Sequence, residues 1–272
     1  DFDRAMQRLG REALGADRVA ALTASGGHGT RLDYPHPKGM YPISPVLGKS
    51  LFQLFAEQIA ATRRRYGCAL PWLIMTSPAN DGEVRAFFEQ NEFFGLDSES
   101  VHFFVQEVNP ILDEAGRLLL ADRGELLVGP DGHGGVFAAL ERSGLTQMLR
   151  QGGRDLISYF QVDNPLMGVA DPRFIGHHLH RGADFSSKVI AKRSPDERLG
   201  LSVMKGGVPA VVEYSDVPEE VAAARLPTGR LRLRYGSIAS HVLDVPFAER
   251  VARRQEGLPW HIAAKTYEVL DE

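Results

Sequence analysis

The sequence predicts an α/β fold, a mainly parallel sheet flanked by helices with a small antiparallel β excursion beside it. Short apolar runs alternate with amphipathic helical stretches through about residue 180. Several of those runs end in glycine-rich or acidic turns, as parallel strands do where they open onto a ligand. Beyond residue 180 the texture changes to short β segments with turns between them.

Each element has its own signal. Phe2, Met6, Leu9 and Leu14 recur at near-helical spacing among charges, so the first fifteen residues read as an amphipathic helix. Val19 to Ala24 is an apolar strand that runs into Ser25-Gly26-Gly27-His28-Gly29. Leu51 to Arg65 is a helix with Leu51, Leu54, Phe55 and Ile59 on one face. Trp72 to Thr76 is a buried strand, Asp81 to Asn91 a helix, and Val101 to Val105 a strand. Gly116 to Val128 reads as a hairpin excursion and Val136 to Leu149 as one helix. Leu156 to Val162 is a strand ending at Asp163-Asn164-Pro165. The later β segments are expected at Phe185 to Ala191, Leu199 to Met204, Ala210 to Tyr214 and Arg230 to Arg234. No internal repeat or linker breaks the chain, so residues 1–272 are expected to form one catalytic unit.

Composition narrows the function. With 43% hydrophobic and 24% charged residues, the chain has material for a sizeable core. A net charge of −4 offers no global field for nucleic acid or an anionic membrane, so neither is expected as a partner. Cys68 is the single cysteine, which excludes an intramolecular disulfide and a thiolate zinc cluster and fits a reducing, cytoplasmic setting. No apolar run approaches the roughly 20 residues that span a bilayer.

Three segments have the residue types that phosphate chemistry needs. In Ser25-Gly26-Gly27-His28-Gly29-Thr30-Arg31-Leu32, followed by Pro37-Lys38-Gly39-Met40, glycines let backbone N–H groups approach a ligand and Arg31 and Lys38 supply fixed charge. The spacing is not that of a Walker A loop. In Val162-Asp163-Asn164-Pro165 an acid stands at the end of a parallel strand, where it can hold a hard divalent cation against phosphate oxygens. In Pro130-Asp131-Gly132-His133-Gly134-Gly135 three glycines precede a helix N-terminus. Singly, each is also an ordinary surface turn or strand end. Glu213-Tyr214 and Lys265 read alone as an exposed strand end and a solvated lysine, and His177, His178 and His180 as surface or packing histidines. No Gly-x-Ser-x-Gly elbow supports acyl transfer.

The order of the motifs is more specific than any one of them. Gly-Gly-x-Gly-Thr-Arg-Leu, Pro-Lys-Gly-Met, Phe104-Val105-Gln106 with Pro110, Asp-Gly-His-Gly-Gly, Val-Asp-Asn-Pro-Leu, Val-Glu-Tyr-Ser and His-Ile-Ala-x-Lys follow one another from about Val19 to Asp271. This series resembles the eukaryotic-type UDP-N-acetylglucosamine pyrophosphorylases and their bacterial relatives in the UDP-sugar pyrophosphorylase family.

The resemblance implies a Rossmann-like, GT-A-like nucleotide-diphospho-sugar transferase fold, with residues 19–180 as a nucleotide-binding half and 181–272 as a sugar-binding half. It implies transfer of a uridylyl group from UTP to a sugar 1-phosphate, N-acetylglucosamine 1-phosphate first among them, with Mg²⁺ or Mn²⁺ as cofactor. Carried over by position, Ser25, Gly26, Gly27 and Gly29 hold the nucleotide, Gln106 reads the uracil edge and Gly132 contacts the uridine. Arg31, Lys38 and Lys265 face phosphates, and Asp163 binds metal and phosphate. His133, Asn164, Glu213, Tyr214 and Ser240 fall on the sugar side.

The departures concern mainly the acceptor. His28 stands where the eukaryotic enzymes have Gln, and His133 where they have Asn. Their Gly-Asn-Ile-x-Asn-His segment is Gly236-Ser237-Ile238-Ala239-Ser240-His241 here, and Thr266 replaces the second lysine of a pair. Ser240 thus replaces an asparagine that contacts the acceptor, which keeps open glucose, galactose or N-acetylgalactosamine 1-phosphate as substrate. The family continues into a small C-terminal β domain that is expected to be absent here. A non-catalytic UDP-sugar-binding protein is the reading from another class. Asp163 and Lys38 argue against it, because binding a finished UDP-sugar needs no groups for expelling pyrophosphate.

Overall fold

A computed structural model describes residues 1–27, 33–254, 266, 267 and 269. In chain order the elements are α1 (Phe2–Gly15), β1 (Val19–Ala24), α2 (Leu51–Tyr66), β2 (Trp72–Thr76), α3 (Asp81–Gln90) and β3 (Val101–Val105). The short strands β4 (Val108–Pro110), β5 (Leu120–Asp122), β6 (Glu125–Leu126) and β7 (Val128–Pro130) follow. Next come α4 (Val136–Arg142), α5 (Leu145–Gln151), β8 (Leu156–Gln161), α6 (Pro172–Arg181) and β9 (Phe185–Ala191). The last elements are β10 (Leu201–Lys205), β11 (Val208–Val212), α7 (Glu219–Ala223), β12 (Tyr235–Asp244) and α8 (Val245–Ala252).

The main sheet runs β11-β10-β12-β8-β1-β2-β3, with β9 on the other edge of β12. Strands β8, β1, β2 and β3 are parallel, as the alternation of strands and helices predicts. Alternate side chains of each strand enter opposite cores. Val19, Ala21, Trp72 and Ile74 pack with α1, α2, α3 and α6, while Ala20, Leu22, Leu73 and Met75 pack with α4, α5 and α8. The helix ends follow local rules. Ser50 caps α2 by accepting from the Gln53 N–H at 3.1 Å, and Gly67 ends it in the left-handed region at φ 65°.

Where the structure departs from the sequence reading, the backbone gives the reason. Val136 to Leu149 is two helices, because Ser143 closes α4 and Gly144 turns at φ 75° before α5. Arg230 to Arg234 is not a strand. Leu231 is buried and makes one isolated antiparallel pair with Arg225, and the strand begins instead at Tyr235. The antiparallel segments Leu199 to Met204 and Ala210 to Tyr214 shift to β10 and β11, joined at Gly206-Gly207. Both glycines have positive φ, as a two-residue hairpin turn requires. Strand β12 pairs with β8 along one edge and β9 along the other, so residues before and after 180 share one sheet. His178 has the acidic partner that spacing did not reveal. Its ring is buried between Ser186 Oγ and Asp244 Oδ1, each at 2.9 Å, a packing role on α6.

Helix α1 docks on α6 with backbones in contact. A Cβ on Gly10 would stand 1.8 Å from the Pro172 carbonyl oxygen, and one on Gly176 would stand 1.8 Å from that of Met6. Neither obstacle is a flexible side chain, so the helices must separate if either glycine is filled. Gly176→Ala is therefore expected to lower stability by about 1–3 kcal/mol. Urea unfolding measures this, and an unchanged midpoint would contradict the crossing.

Candidate functional site

The sheet order puts a topological switch point between β1 and β8. The chain moves from β1 to β2 and β3 on one side, then returns to β8 on the other. Ligands of open parallel sheets bind beside the carboxyl ends of the strands at such a point. Ala24 is level with Met75 of β2 and with Gln161 of β8. The loops leaving β1, β2 and β8 therefore emerge at one height.

Gly26, Gly27, Lys38, Asp163 and Gln106 come together there. Lys38 Nζ donates to Asp163 Oδ2 at 3.0 Å, across the gap between the loops that follow β1 and β8. The Lys38 N–H donates to the Gly27 carbonyl at 3.3 Å, and a Cβ on Gly27 would lie 3.9 Å from Nζ. On the other side of β1, Gly26 lies against the Gln106 amide, where a Cβ would stand 2.6 Å from Nε2. Gln106 is buried, and its N–H continues the ladder to the Thr76 carbonyl at 2.9 Å. Ser25 is buried beneath this turn. Arg31, Gly29, His28 and Lys265 lie outside the described residues.

The sequence reading missed the residue that holds the turn in place. Asn80 is buried at the start of α3. Its Nδ2 donates to the Ser25 carbonyl at 3.0 Å, and its Oδ1 accepts from the Ser77 N–H at 2.8 Å. One amide side chain thus satisfies two loop groups and ties the end of β1 to the end of β2. The available signal was a polar side chain between a buried strand and a helix start, in Ser77-Pro78-Ala79-Asn80-Asp81.

The third glycine segment reaches the same edge through Glu107, whose carbonyl accepts from the Asp131 N–H at 3.2 Å. Gly132 follows at φ 80°, and His133–Gly135 form one 3₁₀ turn leading into α4. A Cβ on Gly135 would stand 1.8 Å from Asp131 Oδ2, so the carboxylate occupies the space the glycine leaves. Asp131 Oδ1 is buried without a hydrogen-bond partner. Tyr267 also returns to this region, its hydroxyl 3.9 Å from where a Gly129 Cβ would be.

The acceptor-side candidates lie on the antiparallel part. Glu213 follows β11, with Oε1 3.9 Å from the Cβ position of Gly200, whose carbonyl accepts from Ser237 N–H at 2.7 Å. Tyr214 opens a 3₁₀ turn and is exposed. Ser240 is buried, one residue from the His241–Tyr159 pair and toward the carboxyl end of β8. Asn164 is half-buried beside Asp163. Among the described residues, no hydrogen bond joins Glu213, Tyr214 or Ser240 to Lys38, Asp163 or Gln106. Burial pushes the Tyr159 phenol up, and the negative charge of Asp163 adds to it.

With this geometry in view, the comparisons are direct. The family model described as UTP–glucose-1-phosphate uridylyltransferase matches residues 4–228. The chain belongs to that family. It is similar to UDP-N-acetylhexosamine pyrophosphorylase-like protein 1 of Xenopus tropicalis, at 37% identity over 97% of this chain and 53% of the relative. It is also similar to the UDP-N-acetylglucosamine pyrophosphorylase of Saccharomyces cerevisiae, at 36% identity over 97% of this chain and 56% of the relative. The crystal structure of the uridine diphosphate N-acetylglucosamine pyrophosphorylase from Trypanosoma brucei, in complex with inhibitor, matches with a TM-score of 0.85. Identity there is 34%, over 94% of this chain and 53% of that one. The chain thus spans about half the length of the curated relatives it matches. The uridylyltransferase family's α/β sheet with small antiparallel additions is the fold expected from the sequence.

Asp131 gives the site a pH signature. Burial, then the charge of Glu107, hold its carboxyl above the ordinary aspartate value of 3.8, with Arg142 partly opposing. A folded-state pKa raised above the unfolded one means the acid's contribution is full below 3.8 and is lost as pH rises through the folded value. Asp131→Asn carries no titration there. Its stability relative to the parent should therefore rise with pH across that window, measured by urea unfolding in a pH series. Parallel profiles would remove Asp131 as the cause.

Proposed function

We propose that this chain carries the catalytic centre of a uridylyltransferase that joins UTP to N-acetyl-α-D-glucosamine 1-phosphate, giving UDP-N-acetylglucosamine and diphosphate. The single observation that carries the reading is the Lys38–Asp163 pair across the β1–β8 crevice. It sets a cation and a metal-competent carboxylate where nucleotides bind in such sheets. The names of the relatives at 36–37% identity favour the N-acetylhexosamine as acceptor. The lone, buried Cys68 supports a cytoplasmic setting.

A phosphate oxygen of the sugar 1-phosphate attacks the α-phosphorus of UTP, and the bond to the α–β bridging oxygen breaks as pyrophosphate leaves. The attacking group is an anion at neutral pH, so the protein need not remove a proton. Its task is to position the reactants and to stabilise charge at the α-phosphorus and on the leaving group. Lys38 neutralises phosphate charge, while Gly26 and Gln106 hold the nucleoside at the β1–β3 edge. Arg31 and Lys265 are further phosphate-facing cations in this reading.

Asp163 fits Mg²⁺. Its carboxylate is half-exposed at the crevice, and Mg²⁺ takes one or two carboxylates and completes its shell with phosphate oxygens and water. Among the described residues no group of three acidic, histidine or cysteine side chains could hold a metal alone, which suits an ion that arrives with the triphosphate. Bound there, Mg²⁺ would supply positive charge to phosphate oxygens.

A second reading, favoured by one observation, keeps the reaction and widens the acceptor. Ser240, where the family resemblance implies an asparagine against the sugar, is short and buried. Glucose, galactose or N-acetylgalactosamine 1-phosphate would then compete.

Pyrophosphate release from UTP with a panel of sugar 1-phosphates tests both readings, and no release with any of them refutes the first and the second together. Lys38→Ala is expected to lower kcat at least about a hundredfold, the scale of other transition-state charge donors. Full turnover in that variant would exclude Lys38 from the mechanism. In Asp163→Asn, Mg²⁺-dependent turnover should vanish, and an unaltered metal titration would rule out Asp163 as ligand.

A further inference from the structure

Lys38 carries its charge on a flexible four-carbon stem, so its ammonium is placed only as well as the backbone beneath it. The strap Asp33–Met40 supplies that backbone, and several contacts hold it. Gly39 lies flat on Phe52, where a Cβ would stand 2.2 Å from the ring. Phe52 is itself fully buried, edge-on to Trp72 and Phe88. The Lys38 N–H is fixed on Gly27. Tyr34 Oη donates to the Met40 carbonyl at 3.2 Å, closing the strap on itself, and the ring packs edge-on to His36 and Tyr41. Finally, His36 Nδ1 meets Glu83 Oε1 at 2.5 Å. Asp33, at the strap's near end, sits at φ 49°, a left-handed conformation that a non-glycine residue holds only under constraint.

We propose that His36 and Glu83 are positioning residues for Lys38, a clamp that holds the strap against α3 so that the ammonium spans the crevice. The proposal rests on the uridylyltransferase reading and deepens it. Glu83 stands in the first turn of α3, the helix whose start is locked to the sheet edge through Asn80 and through Asp81, which accepts from Thr76 Oγ1 at 2.6 Å. The clamp therefore refers the position of Lys38 to the end of β2, independently of the loop after β1. Neither side chain hydrogen-bonds to Lys38, Asp163 or Gln106 among the described residues. Their side chains are 50% and 40% exposed, and an ion pair that accessible adds little to global stability. Its consequence belongs in the rate, where a misplacement of about 1 Å can cost on the order of a hundredfold.

The test measures turnover of UTP with N-acetylglucosamine 1-phosphate by the full chain, its thermal midpoint, and amide hydrogen exchange in the strap. His36→Ala and Glu83→Ala should each lower kcat about tenfold while moving the KM for UTP far less, with the midpoint held. His36→Asn presents an amide N–H where Nδ1–H stood and should recover most of the rate. In a Lys38→Ala background, His36→Ala should cost nothing further, because the clamp acts through Lys38. Parent-like kcat in His36→Ala, or an undiminished further loss when Lys38 is already alanine, would overturn the clamp. Exchange at the Lys38 and Gly39 amides of the ligand-free protein should rise in His36→Ala, and unchanged protection would also overturn it. A parent protein that turns over no sugar phosphate, yet shows that rise, would refute the reaction and leave the clamp standing.

Discussion

The constraint on which the site depends is the parallel register of β1 between β2 and β8. Ala24 is level with both Met75 and Gln161, so three chain segments leave the sheet at the same height. The glycine turn, the Asn80 turn and the Asp163 turn can then meet within hydrogen-bond distance. A one-residue slip of β1 would turn its alternating side chains to the opposite cores and draw the turn away from Gln106. Side-chain packing on both faces resists that slip, since the two cores are filled by alternate residues of the same strands.

Rigidity at the crevice comes from buried neutral groups rather than from the ion pair that spans it. Lys38 and Asp163 both keep access to water, so their attraction is screened and adds little to folding. The Asn80 amide, the Gly26–Gln106 contact and the seating of Gly39 on Phe52 are buried or backbone features with no freedom to rearrange cheaply. The charged groups can therefore change partners while the frame beneath them stays fixed. That division suits a site proposed to receive a polyanion together with a cation.

The sequence was most legible where a single chemical signal was strong and local. The strands Val19–Ala24, Trp72–Thr76 and Val101–Val105 were evident as apolar runs, and the family was evident in the order of its motifs. Strand β12 was not, because Gly236, Ser237 and Ser240 dilute its β character, while Arg230-Leu231-Arg232-Leu233-Arg234 just before it alternates like an ideal exposed strand. Leu231 is buried, as the alternation implied, but the Pro227-Thr228-Gly229 turn folds that segment back onto Arg225. The one-helix reading of Val136 to Leu149 failed similarly, since apolar periodicity continued across a glycine that only its positive φ marks as a break. Asn80, His36 and Glu83 were invisible for another reason: each acts through a partner tens of residues away, and no spacing rule encodes that.

Charge shows how local structure overrides composition. A chain of net charge −4 would be expected to repel a triphosphate and a sugar phosphate, and it has no global basic field. At the crevice the balance differs. The described groups there are one lysine and one carboxylate already paired with each other, so the ligand-free edge is close to neutral. In the proposed reading a triphosphate arriving with a divalent ion brings a partner for each, the phosphates for Lys38 and the metal for Asp163. Exchanging one ion pair for two needs no change in the protein's own net charge, and at these distances contact groups outweigh charges lying beyond the roughly 8 Å screening length of physiological salt. Nucleotide affinity in such a fold is therefore set by where the chain places a few charges, not by how many it carries.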